Sequence, residues 1–168
     1  MNIPALAKFE EAVAAAAQNQ LVDAAGAFRE VVDRWPEDEL ADDALYNLGA
    51  CYLAMSQYTR ASELFKQVIS KYPNAMIHVG DGGRESGRTA AKAWLALVAT
   101  HLGQGDVSAA EAASAMLADY TDSKVMSSPG MERSFHDIAK SLLSAARAEA
   151  EAEAEMVGPS DIVVVEDA

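Results

Sequence analysis

The chain has 168 residues, of which 51% are hydrophobic and only 7% aromatic, and its formal net charge is −13 at pH 7. So acidic a chain repels phosphate groups, which argues against nucleic acids and anionic membrane surfaces as partners. Much of the apolar fraction is alanine, which favours helices over sheets. We therefore expect an all-α protein.

The start of the chain and its single cysteine bear on location. The first residues, Met-Asn-Ile-Pro-Ala-Leu-Ala-Lys-Phe-Glu-Glu, contain neither a basic segment nor an uninterrupted apolar one, so we expect no export signal. No apolar stretch reaches the roughly 18 residues that predict a membrane-spanning helix. Cys51 lies in an apolar run, where we expect a small buried side chain rather than a nucleophile. These features predict a cytoplasmic protein without disulfides.

The first predicted element, about residues 5–38, is a pair of helices. Its second helix carries a small residue followed at helical spacing by larger apolar ones and a closing proline: Ala24, Phe28, Val31 and Pro36. Its first helix, about residues 4–18, places small or polar residues where large apolar ones are expected. Such irregularity is typical of the terminal unit of a repeat array.

The second element, about residues 42–75, repeats and completes this pattern. It reads Leu45-x2-Leu48-Gly49-x2-Tyr52, then Ala61-x3-Phe65, Val68 and Pro73. The small residues Gly49 and Ala61 let two helices approach closely, the large ones fill the space between them, and Pro73 ends the second helix. Ala24 and Ala61 are 37 residues apart, as are Pro36 and Pro73. The shared offset indicates an internal repeat of helical hairpins.

A long connection, residues 74–88, separates the second element from a third. Its glycines and lack of periodicity predict a loop, and the absence of a Gly-Lys-Ser/Thr motif argues against a phosphate site. The pattern leaves open whether this loop is ordered or functional. The third element, about residues 91–124, keeps Trp94-x2-Leu97, the turn Gly103-Gln-Gly-Asp106, Ala110 and Leu117. We expect a third hairpin with Trp94 in its core.

The last predicted helix, about residues 129–147, follows Ser128 and Pro129, a favourable N-cap and first helical position. Its apolar stripe at helical spacing predicts a helix that caps the array. Residues 148–168 are an acidic extension, in which Ala and Glu alternate, and a tail. For the tail, a disordered acidic end, a strand added to a partner's sheet and a segment folded back into the chain's own groove all stay open. The strand motif would be Ile162, Val163, Val164 and Val165.

The spacings of the second element resemble those of tetratricopeptide repeat proteins, and the resemblance extends over about residues 5–120. It implies a right-handed α-solenoid of about three helical hairpins plus a C-terminal capping helix, forming one domain over residues 1–147. It also implies that the first helix of each hairpin lines a concave groove that accepts a partner peptide or helix. The groove residues that it implies are Tyr46, Asn47, Ala50, Leu53, Lys92 and Ala96, with Phe9, Asp43 and His101 beside them.

Some members of this family hold a terminal carboxylate with two lysines, two asparagines and an arginine. Asn47 and Lys92 stand at matching positions. Phe9, Val13 and Ala96 stand where the other three donors belong. A single ammonium group cannot fix both carboxylate oxygens as the full set does, so we expect a general peptide groove rather than this clamp.

Members of this family are as a rule not enzymes. The three histidines, His78, His101 and His136, lie far apart in the sequence, so we expect no catalytic or metal site and no cofactor. The sequence therefore predicts a non-catalytic adaptor or scaffold that binds a protein partner. Two alternatives stay open, namely a self-assembling structural protein that forms homo-oligomers and an auxiliary subunit of an enzyme complex.

Overall fold

The computed structural model describes residues 2–78, 84–128 and 131–156. Six helices within these ranges form three consecutive hairpins, and a longer helix follows them. The helices are α1 (Ile3–Ala17), α2 (Leu21–Arg34), α3 (Ala41–Ala54), α4 (Tyr58–Lys71), α5 (Thr89–Gly103), α6 (Val107–Met116) and α7 (Phe135–Met156). Each helix from α1 to α6 packs against the next one along the chain, and α7 packs on α5 and α6. The expected all-α array of helical hairpins is confirmed.

The three hairpins share the same turn. The helices α1, α3 and α5 are each followed by one residue in the left-handed conformation, and φ is 59° at Asn19, 56° at Ser56 and 75° at Gly105. In all three turns the next residue donates its backbone N–H to the carbonyl five residues earlier, at 2.8 or 2.9 Å. This bond is the one that closes a Schellman-type helix end. The shared turn fixes the register of the third hairpin relative to the other two.

Close packing inside the second hairpin depends on Gly49. A Cβ atom added there would lie 2.7 Å from Cε1 of Phe65, so a larger residue would push the two helices apart. The ring of Phe65 is fully buried, and its centroid lies 5.5 Å from that of Tyr46. In the first hairpin the rings of Phe9 and Phe28 meet edge to face at 5.4 Å. Aromatic pairs thus fill the centre of both hairpins.

A small antiparallel sheet, which the sequence did not predict, adds to the helices. Its strands are β1 (Glu85–Ser86), β2 (Lys124–Ser128) and β3 (Met131–Ser134), in the order β1-β2-β3. Backbone hydrogen bonds also join the two ends of the connection between α4 and α5, from Ile77 N to Gly87 O at 2.9 Å and from Thr89 N to Ala75 O at 3.0 Å. The described parts of the predicted loop are therefore ordered.

The last helix begins later than expected, and the predicted start at residue 129 was wrong. Ser128 ends β2, whereas α7 begins at Phe135. Ser134 caps this helix, because its Oγ accepts the backbone N–H of Asp137 at 3.0 Å and donates to the Asp137 carboxylate at 2.8 Å. The helix continues to Met156, so the Ala/Glu segment is helical up to that residue. Residues 157–168 lie outside the described ranges.

Candidate partner-binding groove

Two of the predicted groove residues are in contact across α3 and α5. The Nζ atom of Lys92 lies 4.6 Å from the ring centroid of Tyr46, a cation–π distance. Asn47, one residue further along α3, donates its side-chain amide to the carbonyl oxygen of Asp43 at 2.8 Å. The amide of Asn47 therefore hydrogen-bonds to its own helix.

The remaining three predicted residues differ in exposure. Ala50 and Leu53 on α3 are partly exposed, so a partner can reach both. Ala96 on α5 is only 7% exposed and belongs to the core. Trp94, which the sequence predicted to be a core residue, packs against the same core. Direct contact with a partner is thus open to Ala50 and Leu53 rather than to Ala96.

The connection between α4 and α5 lies over the face of α3 that carries Tyr46. The backbone N–H of His78 donates to Oδ2 of Asp43 at 2.9 Å. Glu85 forms an ion pair with Lys92 in which the two side chains are only 16% and 13% exposed. The connection therefore leaves Tyr46 only partly exposed and engages Lys92, so a partner's carboxylate would meet a lysine that is already paired.

A pocket that none of the described residues covers lies on the corresponding face of α1. Its volume is about 300 Å³, and its lining is apolar except for one carboxylate: Leu6, Phe9, Glu10, Val13, Ala14 and Ala17. With the offset of 37 residues, Phe9 corresponds to Tyr46 and Val13 to Ala50. The pocket is therefore the first-hairpin part of the predicted groove. The sequence placed Val13 at a clamp position of the groove but did not count it among the expected contact residues, because α1 looked irregular.

Comparison with protein families supports the repeat pattern directly. A family model described as tetratricopeptide repeat matches residues 43–75, which span most of α3 and all of α4. The same turn and packing landmarks recur in the neighbouring hairpins. Residues 43–75 therefore match a tetratricopeptide repeat.

A solved structure is similar to this array of helical hairpins. The Hsp90 co-chaperone Cns1 from Saccharomyces cerevisiae (delta69) superposes with a TM-score of 0.64 at 14% sequence identity. The match covers 93% of this chain but only 44% of the Cns1 chain. At this identity the likeness concerns the fold alone. No curated protein sequence matches the chain.

Burial disfavours the charged form of Tyr46. It raises the pKa of the Tyr46 hydroxyl far above the ordinary value, and the carboxylates of Glu85 and Asp43 add to the shift. The hydroxyl is therefore neutral at every physiological pH. The ring of Tyr46 contributes an apolar face and a cation–π contact rather than a charge.

Two adjacent carboxylates at the start of α3 hold the connection in place. Asp43 accepts the backbone N–H of His78, and Asp42 accepts the Oγ1 hydroxyl of Thr89 at 2.5 Å. Asp42 is 3% exposed. Its burial raises the pKa of its carboxyl group, although the hydrogen bond from Thr89 opposes the shift. The ionised carboxylate is thus costly to bury, and the hydrogen bond from Thr89 offsets part of that cost.

Three further features of the described ranges concern metal binding, thiol reactivity and membranes. No three His, Cys, Asp or Glu side chains of residues 2–78, 84–128 and 131–156 are grouped so that they could hold a metal ion. Cys51 is buried, and burial raises the pKa of its thiol, which disfavours the reactive thiolate. None of the described helices is both long enough and apolar enough to cross a membrane. The predicted motif Ile162–Val165 lies outside the described residues.

Proposed function

We propose that this chain is a non-catalytic adaptor that holds a segment of a protein partner on the inner faces of its helical hairpins. The observation that carries the proposal is the apolar pocket on α1, where Val13 is 43% exposed. Apolar side chains in a concave surface stabilise a complex when the partner displaces their water. Ala50 and Leu53 on α3 extend this contact surface, whereas Tyr46, Asn47, Lys92 and Ala96 support it from behind or beneath the connection.

Charge favours a partner segment that carries basic residues beside its apolar ones. Glu10 lies on the rim of the α1 pocket, and the chain as a whole has a net charge of −13. Opposite charges speed the encounter of two proteins and select among partners, while apolar contacts supply most of the binding energy. Apolar residues three or four positions apart in the partner would share one helical face and fit the groove.

Peptide selection on the full chain tests this proposal. Random peptides displayed on phage are selected on the immobilised protein, and the affinity of the recovered peptides is then measured for the Val13→Arg variant. We expect the variant to lose about tenfold or more in affinity, because the arginine brings a charge into an apolar contact. Val22→Arg is the matched control, since Val22 is 74% exposed on α2 and lies outside the pocket. Peptides that bind both variants as tightly as the unchanged protein would refute the proposal.

Self-assembly is the second candidate, because two apolar side chains of α1 are exposed. Ile3 is 81% exposed and Val13 is 43% exposed, so a second copy of the chain could cover this helix. Sedimentation at several concentrations separates the two candidates. A self-assembling chain gains mass with concentration and loses that gain in Val13→Arg, whereas a monomeric adaptor has the same mass throughout.

A further inference from the structure

The connection between the second and third hairpins is longer than the repeat requires. The equivalent residues Ala24 and Ala61 are 37 residues apart, whereas Ala61 and Ala110 are 49 residues apart, a difference of 12. We refer to the described parts of this connection, residues 75–78 and 84–88, as the strap. The first two hairpins are joined without this extra length, so joining hairpins does not explain why the strap contacts the groove.

The first limb of the strap, residues 75–78, is anchored to a buried carboxylate. The backbone N–H of His78 donates to Oδ2 of Asp43 at 2.9 Å, and Asp43 is only 1% exposed. A hydrogen bond to a charged group is stronger when water is excluded from it. At the corresponding position of α1 stands Leu6, whose side chain has no acceptor. The anchor is thus specific to α3.

The second limb, residues 84–88, places a carboxylate on the cation of the groove. Glu85 pairs with Lys92, and Lys92 in turn lies over the ring of Tyr46. The low exposure of both side chains, 16% and 13%, limits how far water weakens this pair. An acidic group of a partner therefore competes with Glu85 for Lys92.

Backbone bonds attach the second limb to the sheet and to the first limb. β1 pairs with β2 in an antiparallel ladder, and the backbone N–H of Arg88 donates to Oγ of Ser123 at 3.1 Å. The bond from Ile77 N to Gly87 O joins the two limbs. None of these bonds involves the Glu85 carboxylate. The strap therefore keeps its attachment to the sheet when the Glu85–Lys92 pair breaks, and a change in one limb reaches the other.

We propose that the strap is an autoinhibitory element of the groove and that Glu85 is its latch. While Glu85 engages Lys92, a partner reaches only the α1 pocket and the exposed residues of α3. When the latch opens, the groove gains the rest of the Tyr46 face and the charge of Lys92, so it accepts a longer segment that carries an acidic group. This inference rests on the proposed function, because it concerns the regulation of the same groove.

The substitution Glu85→Gln removes the charge of the latch and keeps a side chain of the same size. Mass spectrometry of the full chain follows two quantities, namely the rate at which an acetyl ester of N-hydroxysuccinimide modifies Lys92 and the hydrogen exchange of residues 75–78. We expect acetylation to become about tenfold faster, the effect of losing one charge-assisted hydrogen bond, and exchange in residues 75–78 to rise with it. The exchange reports opening of the strap, which the mere exposure of Lys92 would not change.

The matched control is Glu132→Gln. Glu132 pairs with Lys124 within the same sheet and takes no part in the pair between Glu85 and Lys92, so both quantities should stay as in the unchanged protein. If Lys92 and residues 75–78 remain as protected in Glu85→Gln as in the unchanged protein, the latch does not exist. Should Glu85→Gln lose its helical circular dichroism, Glu85→Asp replaces it. That variant keeps the charge but withdraws it by one methylene group, and smaller rises in the same two quantities are then expected.

Peptides selected on Glu85→Gln connect the strap to binding. We expect them to bind this variant about tenfold more tightly than the unchanged protein, because the unchanged protein is rarely in the open state that they require. Adding Val13→Arg should weaken their binding to both. If the strap opens but the affinities are equal, the autoinhibitory role is wrong and the proposed function stands. If no peptide binds either protein, the proposed function fails and the inhibitory role fails with it.

Discussion

The inner faces of α1 and α3 have equivalent positions but opposite accessibility. The α1 face presents an apolar pocket, whereas the α3 face lies under the strap. The difference begins with the first residues of each helix, since Ala5 and Leu6 of α1 correspond to Asp42 and Asp43 of α3. Asp43 binds the strap at His78 and Asp42 binds Thr89 at the start of α5, which the apolar pair could not do. Residues outside the packing landmarks thus decide which part of a repeat array remains available to a partner.

The largest expected effect comes from Gly49, whose counterpart in the first hairpin is Ala12. The substitution Gly49→Ala places a Cβ atom 2.7 Å from Cε1 of Phe65, so the buried ring of Phe65 or the helices around it must shift. We expect the free energy of unfolding to fall by about 1–3 kcal/mol, as is usual when a core is overpacked. Urea denaturation followed by circular dichroism measures the loss.

The matched control for this substitution is Gly26→Ala on α2. A Cβ atom added at Gly26 meets no described atom within 4 Å, so only the gain in helix propensity remains. That gain should raise the free energy of unfolding by about 0.5–1 kcal/mol. Two variants that change stability in the same direction would contradict the close approach of the helices around Gly49 and Phe65.

The faces of α1 and α3 also differ in how much of their structure the sequence alone could predict. Landmarks at helical spacing, such as Phe28 and Phe65, act over one or two turns and between neighbouring helices, so they predicted the hairpins. Tyr46 and Lys92 were both expected at groove positions because of the resemblance to the family, but the contact between them was not predicted. The hairpins thus depend on local periodicity.

The sheet and the strap depend on distant residues, and periodicity could not predict them. Glu85 pairs in the sheet with Val125, and the strands contain too few residues to alternate visibly. The bond between His78 and Asp43 joins residues 35 positions apart. The start of α7 was predicted wrongly because Ser128 and Ser134 are both acceptable N-caps. Only the latter has Asp137 three residues later, a signal that was present in the sequence.

A smaller effect, which depends on pH, is expected at the first carboxylate of α3. Burial raises the pKa of the Asp42 carboxyl group above its ordinary value of about 3.9. The protonated group therefore stabilises the folded chain at pH values below about 3.9. That stabilisation is lost as the pH rises through the raised pKa, because an ionised carboxylate is then buried. The substitution Asp42→Asn makes the start of α3 less charged, as the start of α1 is, and an amide oxygen can still accept the hydroxyl of Thr89.

We therefore expect Asp42→Asn to be about as stable as the unchanged protein in acid and more stable at neutral pH. Urea denaturation of both proteins at a series of pH values measures the difference, in which the titration of all other groups cancels to a first approximation. His78, whose charge also acts on Asp42, is present in both proteins. A difference in stability that does not change with pH would mean that the ionised carboxylate is not costly in the folded chain.

The smallest expected effect concerns the turns that follow α1 and α3. Ser56 and Asn19 occupy equivalent turns with φ of 56° and 59°, but asparagine adopts this left-handed conformation more readily than serine. Ser56→Gly should therefore raise the free energy of unfolding by about 0.5 kcal/mol, the relief of backbone strain being partly offset by the greater entropy of glycine in the unfolded chain. Asn19→Gly should change it by less. If urea denaturation shows a greater gain for Asn19→Gly, strain at φ does not distinguish the two turns, and the hydrogen bonds of each turn must be compared instead.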